Sequence, residues 1–408
     1  MKPSFLAARV AIVILPLTSI FALVLQKVSS CWYTPEKMTQ LTKLSLKGKI
    51  MIKKVFLTLI TVALLLAACT PKSPADPQEP QEPSVLNVMT HDSFDITAEL
   101  MTRFETENNV KVNIIKGGDT GSALNRLILT STTGALEADV FYGLDNTFLS
   151  RALENDIFEP YNAPALAKID ARFKLDPKNG ALPVDYGDVC INYDKAWFAD
   201  KGLDLPDSLE ALIDPAYKGL LAVENPSTSS PGLAFMMATI AHFGEEGWLD
   251  WWQQLKANEV AITSDWETAY YTNFSGSSGK GPQPMVVSYA SSPAAELIYA
   301  EVELEESPTA SIVADDACWR QIEFAGILKG TKQRAMAEKF IDFLLSKDFQ
   351  EDVPMQMFVF PVLPEAQLPE GFVKGSQIPE KPASLDPALI AEKRDAWVEQ
   401  WVELMLGN

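Results

Sequence analysis

The sequence predicts an α/β protein of two lobes, each a mostly parallel sheet flanked by helices. Three observations lead there. At 408 residues the chain exceeds one ordinary hydrophobic core, so two lobes are the starting point. Short β-branched runs alternate with helical patterns, as parallel sheets with crossover helices require. Two such series follow one another, over about 85–190 and 191–287, and the remainder, 288–408, reads as a return to the first lobe with C-terminal helices.

The first series opens with a strand at 85–89 and a helix over about 95–107, with Ile96, Leu100, Met101 and Phe104 near helical spacing. Residues 110–115 alternate as a half-covered strand should. The glycine-rich run 117–122 leads into a helix from Ala123, and 138–142 reads as the third strand, ending in 143–146. Residues 181–187 precede a strand at 189–193. The second series holds a strand at 220–223, a Ser-rich loop at 225–231, a Met-rich helix from Gly232, a Trp-rich helix around 248–252 and a strand at 260–262. Trp251 and Trp252, with Leu249 and Leu255, form a packing face. A strand at 321–328, an amphipathic helix at 332–345 and a last helix at 387–406 complete the chain.

Residues 284–293 organise the rest. Met285-Val286-Val287 suits a short buried strand, running into Ser288-Tyr289-Ala290-Ser291-Ser292. Pro293 then opens a helix in the N1 position that suits proline. Open α/β sheets place ligands where a strand ends at a helix N-terminus. Free N–H groups favour acceptors there, and the tyrosine offers a flat face.

The N-terminus carries an address. Residues 51–69 have a charged start, an apolar run and small residues before Cys69, and Leu66-Ala67-Ala68-Cys69 resembles the lipobox of bacterial lipoproteins. That resemblance implies cleavage before Cys69 and a lipid on its sulfur. Residues 1–50 hold another apolar run, and two export signals in tandem make little physical sense. Met51 is therefore the expected start, with 1–50 a mis-called upstream extension; peptides from 1–50 in the native protein would refute this. Residues 70–84 are Pro-rich and polar, an extended tether.

Charge narrows the partners. Nine of the 34 basic residues and one of the 54 acidic residues precede residue 70, leaving a net charge of −28 beyond Cys69. This excludes nucleic acid as a partner and suits a cationic ligand. Two histidines in the whole chain, with no His/Cys/Asp cluster at ligand spacing, argue against a zinc enzyme and give no metal site. Cys190 and Cys318 read as two buried thiols in preference to one disulfide, a choice the sequence leaves open.

Several motifs, taken in order, resemble the periplasmic thiamine-binding protein of thiamine ABC transporters. They are Thr90-His-Asp-Ser-Phe94, Leu124-Asn-Arg-Leu127, Ala138-Asp-Val140 with Gly143-Leu-Asp-Asn146, and Asp185-Tyr-Gly187. Ser227-Thr-Ser-Ser-Pro-Gly-Leu233, Trp266-Glu-Thr-Ala-Tyr270 and Ser288-Tyr-Ala-Ser-Ser-Pro293 continue the set. The resemblance implies a two-lobed periplasmic-binding-protein fold (type II-like), with thiamine or a thiamine phosphate in the interlobe cleft and no cofactor. It implies an ABC permease and its ATPase as partners, a monomer, and a lipid-anchored place at the cell surface or on the periplasmic side of the cytoplasmic membrane, touching the membrane only through the anchor. It places Asp119 and Thr120 in a first-lobe binding loop, Ser229 and Ser230 in a second-lobe loop, Trp266 over the ligand, and Tyr289, Ala290, Ser291 and Ser292 at the strand-end platform. His91 and Asp145 are secondary candidates. A cationic thiazolium over an indole contributes roughly 0.5–2 kcal/mol. Asp119 or Asp145 suits the positive charge or the amino group, and Ser229-Ser230 suits a hydroxyl or phosphate. The chain departs from the family at His91, where a tyrosine is expected, and at Ala98 and Ala295, where rings are expected; Phe358 keeps an aromatic.

Two rivals share the fold. A ferric-ion binder would use paired tyrosines with a histidine and a carboxylate, for which Tyr270, Tyr271 and His91 are the candidates. A thiamine-degrading enzyme would need a nucleophilic cysteine, yet neither Cys190 nor Cys318 lies at a strand end beside a base. His242, next to Phe243, reads as structural.

Overall fold

The computed structural model describes residues 83–407 apart from residue 279. The extension 1–50, the signal segment 51–69 with Cys69, and the tether as far as residue 82 lie outside the described residues. Strand β1 (Ser84–Thr90) begins one residue inside the predicted tether.

β1 pairs in parallel with β2 (Val110–Lys116) and β3 (Val140–Asp145), making one flank of the sheet. β2 alternates buried and exposed at its start, as an edge strand does, whereas β3 is buried throughout. After the two-residue β4 (Phe158–Glu159) comes β5 (Leu182–Asp194), 13 residues long. β6 (Leu221–Glu224) pairs in parallel with β7 (Ala261–Thr263) and β8 (Met285–Tyr289), making the second flank. β9 (Thr309–Ile312) pairs with the end of β5, β10 (Trp319–Leu328) joins β3 to β5, and β11 (Phe360–Pro361) pairs with the start of β5. The order is β2-β1-β3-β10-β5-β8-β6-β7. The sheet is therefore parallel at both ends, as expected, and antiparallel at its centre, where β5 pairs with β10 and β8.

One boundary differs. Residues 181–187, expected to precede the strand at 189–193, form one continuous strand with it. The ladder accommodates Pro183 opposite Phe324 by a register shift between Glu323 and Phe324. A bulge is where a sheet tolerates proline and re-aims a side chain.

The helix Ser230–Ala257 contains both the Met-rich and the Trp-rich predictions, interrupted at Gly244, whose φ is 70°. Trp251 and Trp252 are buried as the packing reading requires. Trp252 meets Trp401 edge-on at 5.3 Å, fastening the last helix, Pro387–Leu406, against this one.

The two cysteines are a correction. Cys190 and Cys318 are joined as a disulfide, with Cα atoms 4.5 Å apart. The thiol preference treated Cys190 only as a mid-strand residue; the β5–β10 pairing brings Cys318, one residue before β10, alongside it.

Candidate functional site

Most of the functional candidates follow the C-terminal ends of the parallel strands of both flanks, the position where such sheets gather ligands. His91 follows β1, Asp119 and Thr120 follow β2, and Asp145 ends β3. Ser229 and Ser230 follow β6, Trp266 follows β7, and Tyr289 ends β8, with Pro293 at the first position of helix Pro293–Ile298 as predicted.

Between them lies a cavity that opens to solvent. His91, Asp119, Thr120, Ser230, Trp266, Tyr289 and Ser292 all line it. Ser229, Ala290, Ser291 and Asp145 do not. Asp145 is wholly buried behind the wall, accepting hydrogen bonds from the Thr147 N–H at 2.7 Å and from the Ser230 hydroxyl. Ala290 packs on the Cys190–Cys318 bridge. Ala295 lines the cavity, so the ring missing there widens it, whereas Ala98 is exposed elsewhere and its loss of an aromatic leaves the cavity unchanged.

The aromatic wall is built around Trp266. Its ring stacks on Tyr270 at 5.0 Å and meets Tyr289 at 6.4 Å with an interplanar angle of 63°. The indole N–H donates to the Ser288 hydroxyl at 2.9 Å, and that oxygen lies 2.9 Å from the Ser292 hydroxyl. The hydroxyl burst at 288–292 thus fixes the orientation of the indole. The Tyr289 ring passes directly over Gly187, where a Cβ would stand 2.7 Å from its Cδ1; only glycine fits. Tyr271 and Phe358 also line the cavity, and Phe358 holds a left-handed φ of 56°, an uncommon conformation that clusters at ligand sites.

The floor is acidic. Glu323, absent from the sequence-derived candidates, points in from β10 beside the bulge. It accepts from the Gln321 side-chain amide at 3.1 Å and lies 3.5 Å from His91 Nε2, while the same amide donates to the Tyr289 hydroxyl at 2.9 Å. Burial, reinforced by Asp145 and Asp119, pushes Glu323 up to about 7. Burial also pushes Asp119 up to about 6, against the neighbouring Ser229 hydroxyl, the Trp266 N–H and His91. Asp185, behind Glu323, is raised well above the carboxylate range by burial and by Glu323, and the Tyr142 hydroxyl donates to it. Burial lowers His91, so the imidazole is held neutral despite the nearby acids. Glu323 had a sequence signal: Gln321 and Glu323 occupy alternate positions of a strand that is apolar apart from them and Arg320, so two polar side chains share one face.

The ferric candidates are present in part. Tyr270, Tyr271 and His91 line the cavity, but the Tyr270 hydroxyl donates to Glu296 at 3.1 Å and Tyr271 is 45% exposed. His242 pairs with Glu210 at 2.8 Å and its ring meets Phe243, away from the cavity.

Fold and site together define a two-flanked α/β ligand-binding protein with an aromatic, acidic cavity between the flanks. The chain belongs to the bacterial extracellular solute-binding protein family, whose model matches residues 137–380. It is 30% identical over 322 residues to a thiamine-binding periplasmic protein of Salmonella typhimurium, covering 78% of this chain and 92% of the relative. It is also 30% identical over 342 residues to the Escherichia coli thiamine-binding periplasmic protein, covering 83% and 98%. Among solved structures it is similar to a periplasmic thiamin binding protein, at a TM-score of 0.69 and 27% identity, covering 81% of this chain and 99% of that one.

Proposed function

We propose that this protein binds thiamine, free or phosphorylated, between the two flanks of its sheet and delivers it to the permease of an ABC importer. The observation that carries this reading is that two aromatic side chains, Trp266 and Tyr289, line one cavity with two carboxyl groups, Asp119 and Glu323. Thiamine combines a cationic thiazolium with a flat aminopyrimidine. The indole and phenol faces suit the rings, and the carboxylates supply the charge and the acceptors that the cation and amino group require. The named relatives support the same ligand.

In this reading the two flanks are lobes that close about the ligand, with 85–190 and 288–408 forming one and 191–287 the other. Closure uses contacts that join the flanks, such as Asp119 with the Trp266 N–H and Asp145 with the Ser230 hydroxyl. The protein is lipid-anchored at Cys69, outside the cytoplasmic membrane, and works as a monomer without a cofactor and without catalysis. The Cys190–Cys318 disulfide suits that oxidising location.

Isothermal titration of the mature protein with thiamine tests the ligand. Saturable one-to-one binding, reduced in a Trp266→Ala variant, is expected. No heat and no displacement of tryptophan fluorescence at millimolar thiamine would rule the reading out.

A further inference from the structure

Resting on the reading of two lobes that close about thiamine, we infer that Arg394, in the last helix, is a positioning residue that holds the cleft closed from behind. It does not line the cavity. It acts through Asp145, whose carboxylate joins the two flanks.

The last helix spans both flanks. It packs on the second-flank helix Ser230–Ala257 through Trp401 and Trp252, through the Lys393–Glu245 ion pair, and through the Lys256 ammonium, which donates to the Leu404 carbonyl at 2.6 Å. It also reaches the first flank. Arg151, in the short helix Leu149–Glu154 after β3, lies 3.7 Å from Asp395, and the Arg394 guanidinium stands 4.8 Å from the centre of the Phe148 ring.

Arg394 is 3% exposed and, as an arginine, stays charged. Its nearest acid, Asp395, lies 2.8 Å from Nη2, but that side chain is 71% exposed and water screens its charge. Nη1 is buried without a hydrogen-bond partner. A buried cation so placed needs a buried counter-charge. Burial works against the guanidinium charge, Asp395 favours it, and Asp145 favours it through space. The support is mutual. Burial raises the Asp145 carboxyl, while the Ser230 and Thr147 hydroxyls, the Thr147 N–H and the Arg394 charge pull it back. An ionised Asp145 accepts the Ser230 hydroxyl in a charge-assisted bond, roughly twice as strong as a neutral one. Ser230 opens the same helix whose far part the last helix grips.

A second contact depends on the same residue. A Cβ at Gly121 would stand 2.8 Å from Phe148 Cζ and 2.9 Å from the carbonyl oxygens of Ser227 and Thr228. First-flank backbone therefore meets second-flank backbone against the ring that Arg394 covers. Loss of the guanidinium loosens both contacts and leaves the cavity lining intact.

The test is stopped-flow kinetics of thiamine binding to the mature protein, followed by tryptophan fluorescence, with a melting temperature for every variant. A latch behind the cavity sets the lifetime of the closed state. Arg394→Met should therefore speed thiamine release about tenfold and leave the association rate within about threefold. Arg394→Lys restores the charge and should recover slow release to within about threefold. Asp145→Asn keeps an acceptor for Ser230 without the charge and should release thiamine about tenfold faster. Because the two residues act by one route, combining Arg394→Met with Asp145→Asn should add little to either alone. Unchanged release in Asp145→Asn would overturn the inference whether or not Arg394→Met folds. So would single effects that multiply to about a hundredfold in the double variant, or an Arg394→Lys variant that releases thiamine as fast as Arg394→Met. Failure of the unaltered protein to bind thiamine would remove the thiamine reading and this inference with it.

Discussion

The Asp119 carboxylate accepts the main-chain N–H of Trp266 at 3.0 Å. These residues follow β2 and β7, the strands at the opposite ends of the sheet's hydrogen-bonded path. The pair therefore brings the sheet's two extremities together at one wall of the cavity. Asp119 has two roles there, as a latch between flanks and as a charge facing the ligand. Asparagine separates them, because its amide oxygen still accepts the N–H but carries no charge. A hydrogen bond to a charged group contributes roughly 1.5–3 kcal/mol. Asp119→Asn is expected to weaken thiamine binding about tenfold and Asp119→Ala about a hundredfold, measured by titration calorimetry. An Asn variant indistinguishable from the unaltered protein would assign Asp119 to the latch alone.

Binding should depend on pH through the two cavity acids. Asp119 is raised to about 6 and Glu323 to about 7, so near neutrality the empty site is partly protonated. Neutral His91, Lys116 in the outer cleft and the buried acids Asp145 and Asp185 share the local field. A bound cation favours the ionised carboxylates and lowers both pKa values, so binding expels protons. Affinity should rise between about pH 5 and pH 8 and then level off. The empty protein has the opposite trend from these groups. Their raised folded-state values stabilise it most below the ordinary carboxylate range, and that contribution is lost as pH rises through 6 to 7. Calorimetry in buffers of different ionisation enthalpy measures the proton release directly; binding without release at pH 6.5 would contradict this account.

Trp266 is the side chain whose removal should cost the most aromatic contact. It stacks on Tyr270, and its N–H is held by Ser288. Trp266→Ala should weaken thiamine binding by one to two orders of magnitude, combining the cation–π contribution of roughly 0.5–2 kcal/mol with lost apolar burial. Trp266→Phe keeps a ring but not the Ser288 hydrogen bond, and should fall between. Quenching of tryptophan fluorescence on titration offers an independent readout. An alanine variant that bound normally would move the aromatic wall elsewhere.

The parallel flanks were legible because their strands obey simple patterns. β2 alternates, and residues 288–293 pass from hydroxyls to Pro293 where a helix begins. The centre of the sheet was harder to read. β5 contains a proline and a glycine, which locally signal a break, and only its pairing with β10 makes one continuous strand. Glu323 was missed for the same reason, since nothing local places β10 across the cavity floor. Ser229, Ala290 and Ser291 are adjacent in sequence to cavity residues, but successive side chains at a strand end or helix start point in different directions. Hence Ser230 and Ser292 face the cavity while Ser229 and Ser291 do not. The disulfide was unreadable because its two cysteines lie 128 residues apart in sequence and meet only through the β5–β10 pairing.

That disulfide sits under the platform, with Ala290 packed against it and Ser288 in register with Cys190. It could act on stability, on the platform's shape, or on both, and these outcomes differ in what they change. Closing a loop of 128 residues restricts the unfolded chain, and native bridges typically contribute about 2–4 kcal/mol. None of the side chains lining the cavity belongs to either cysteine. The double variant Cys190→Ser with Cys318→Ser should therefore melt several degrees lower, while its affinity for thiamine at 20 °C stays within about threefold. Reduction of the unaltered protein should reproduce the shift. If affinity fell more than tenfold while the melting temperature held, the bridge would instead be setting the position of Tyr289 and Ser292 through the strand that carries them.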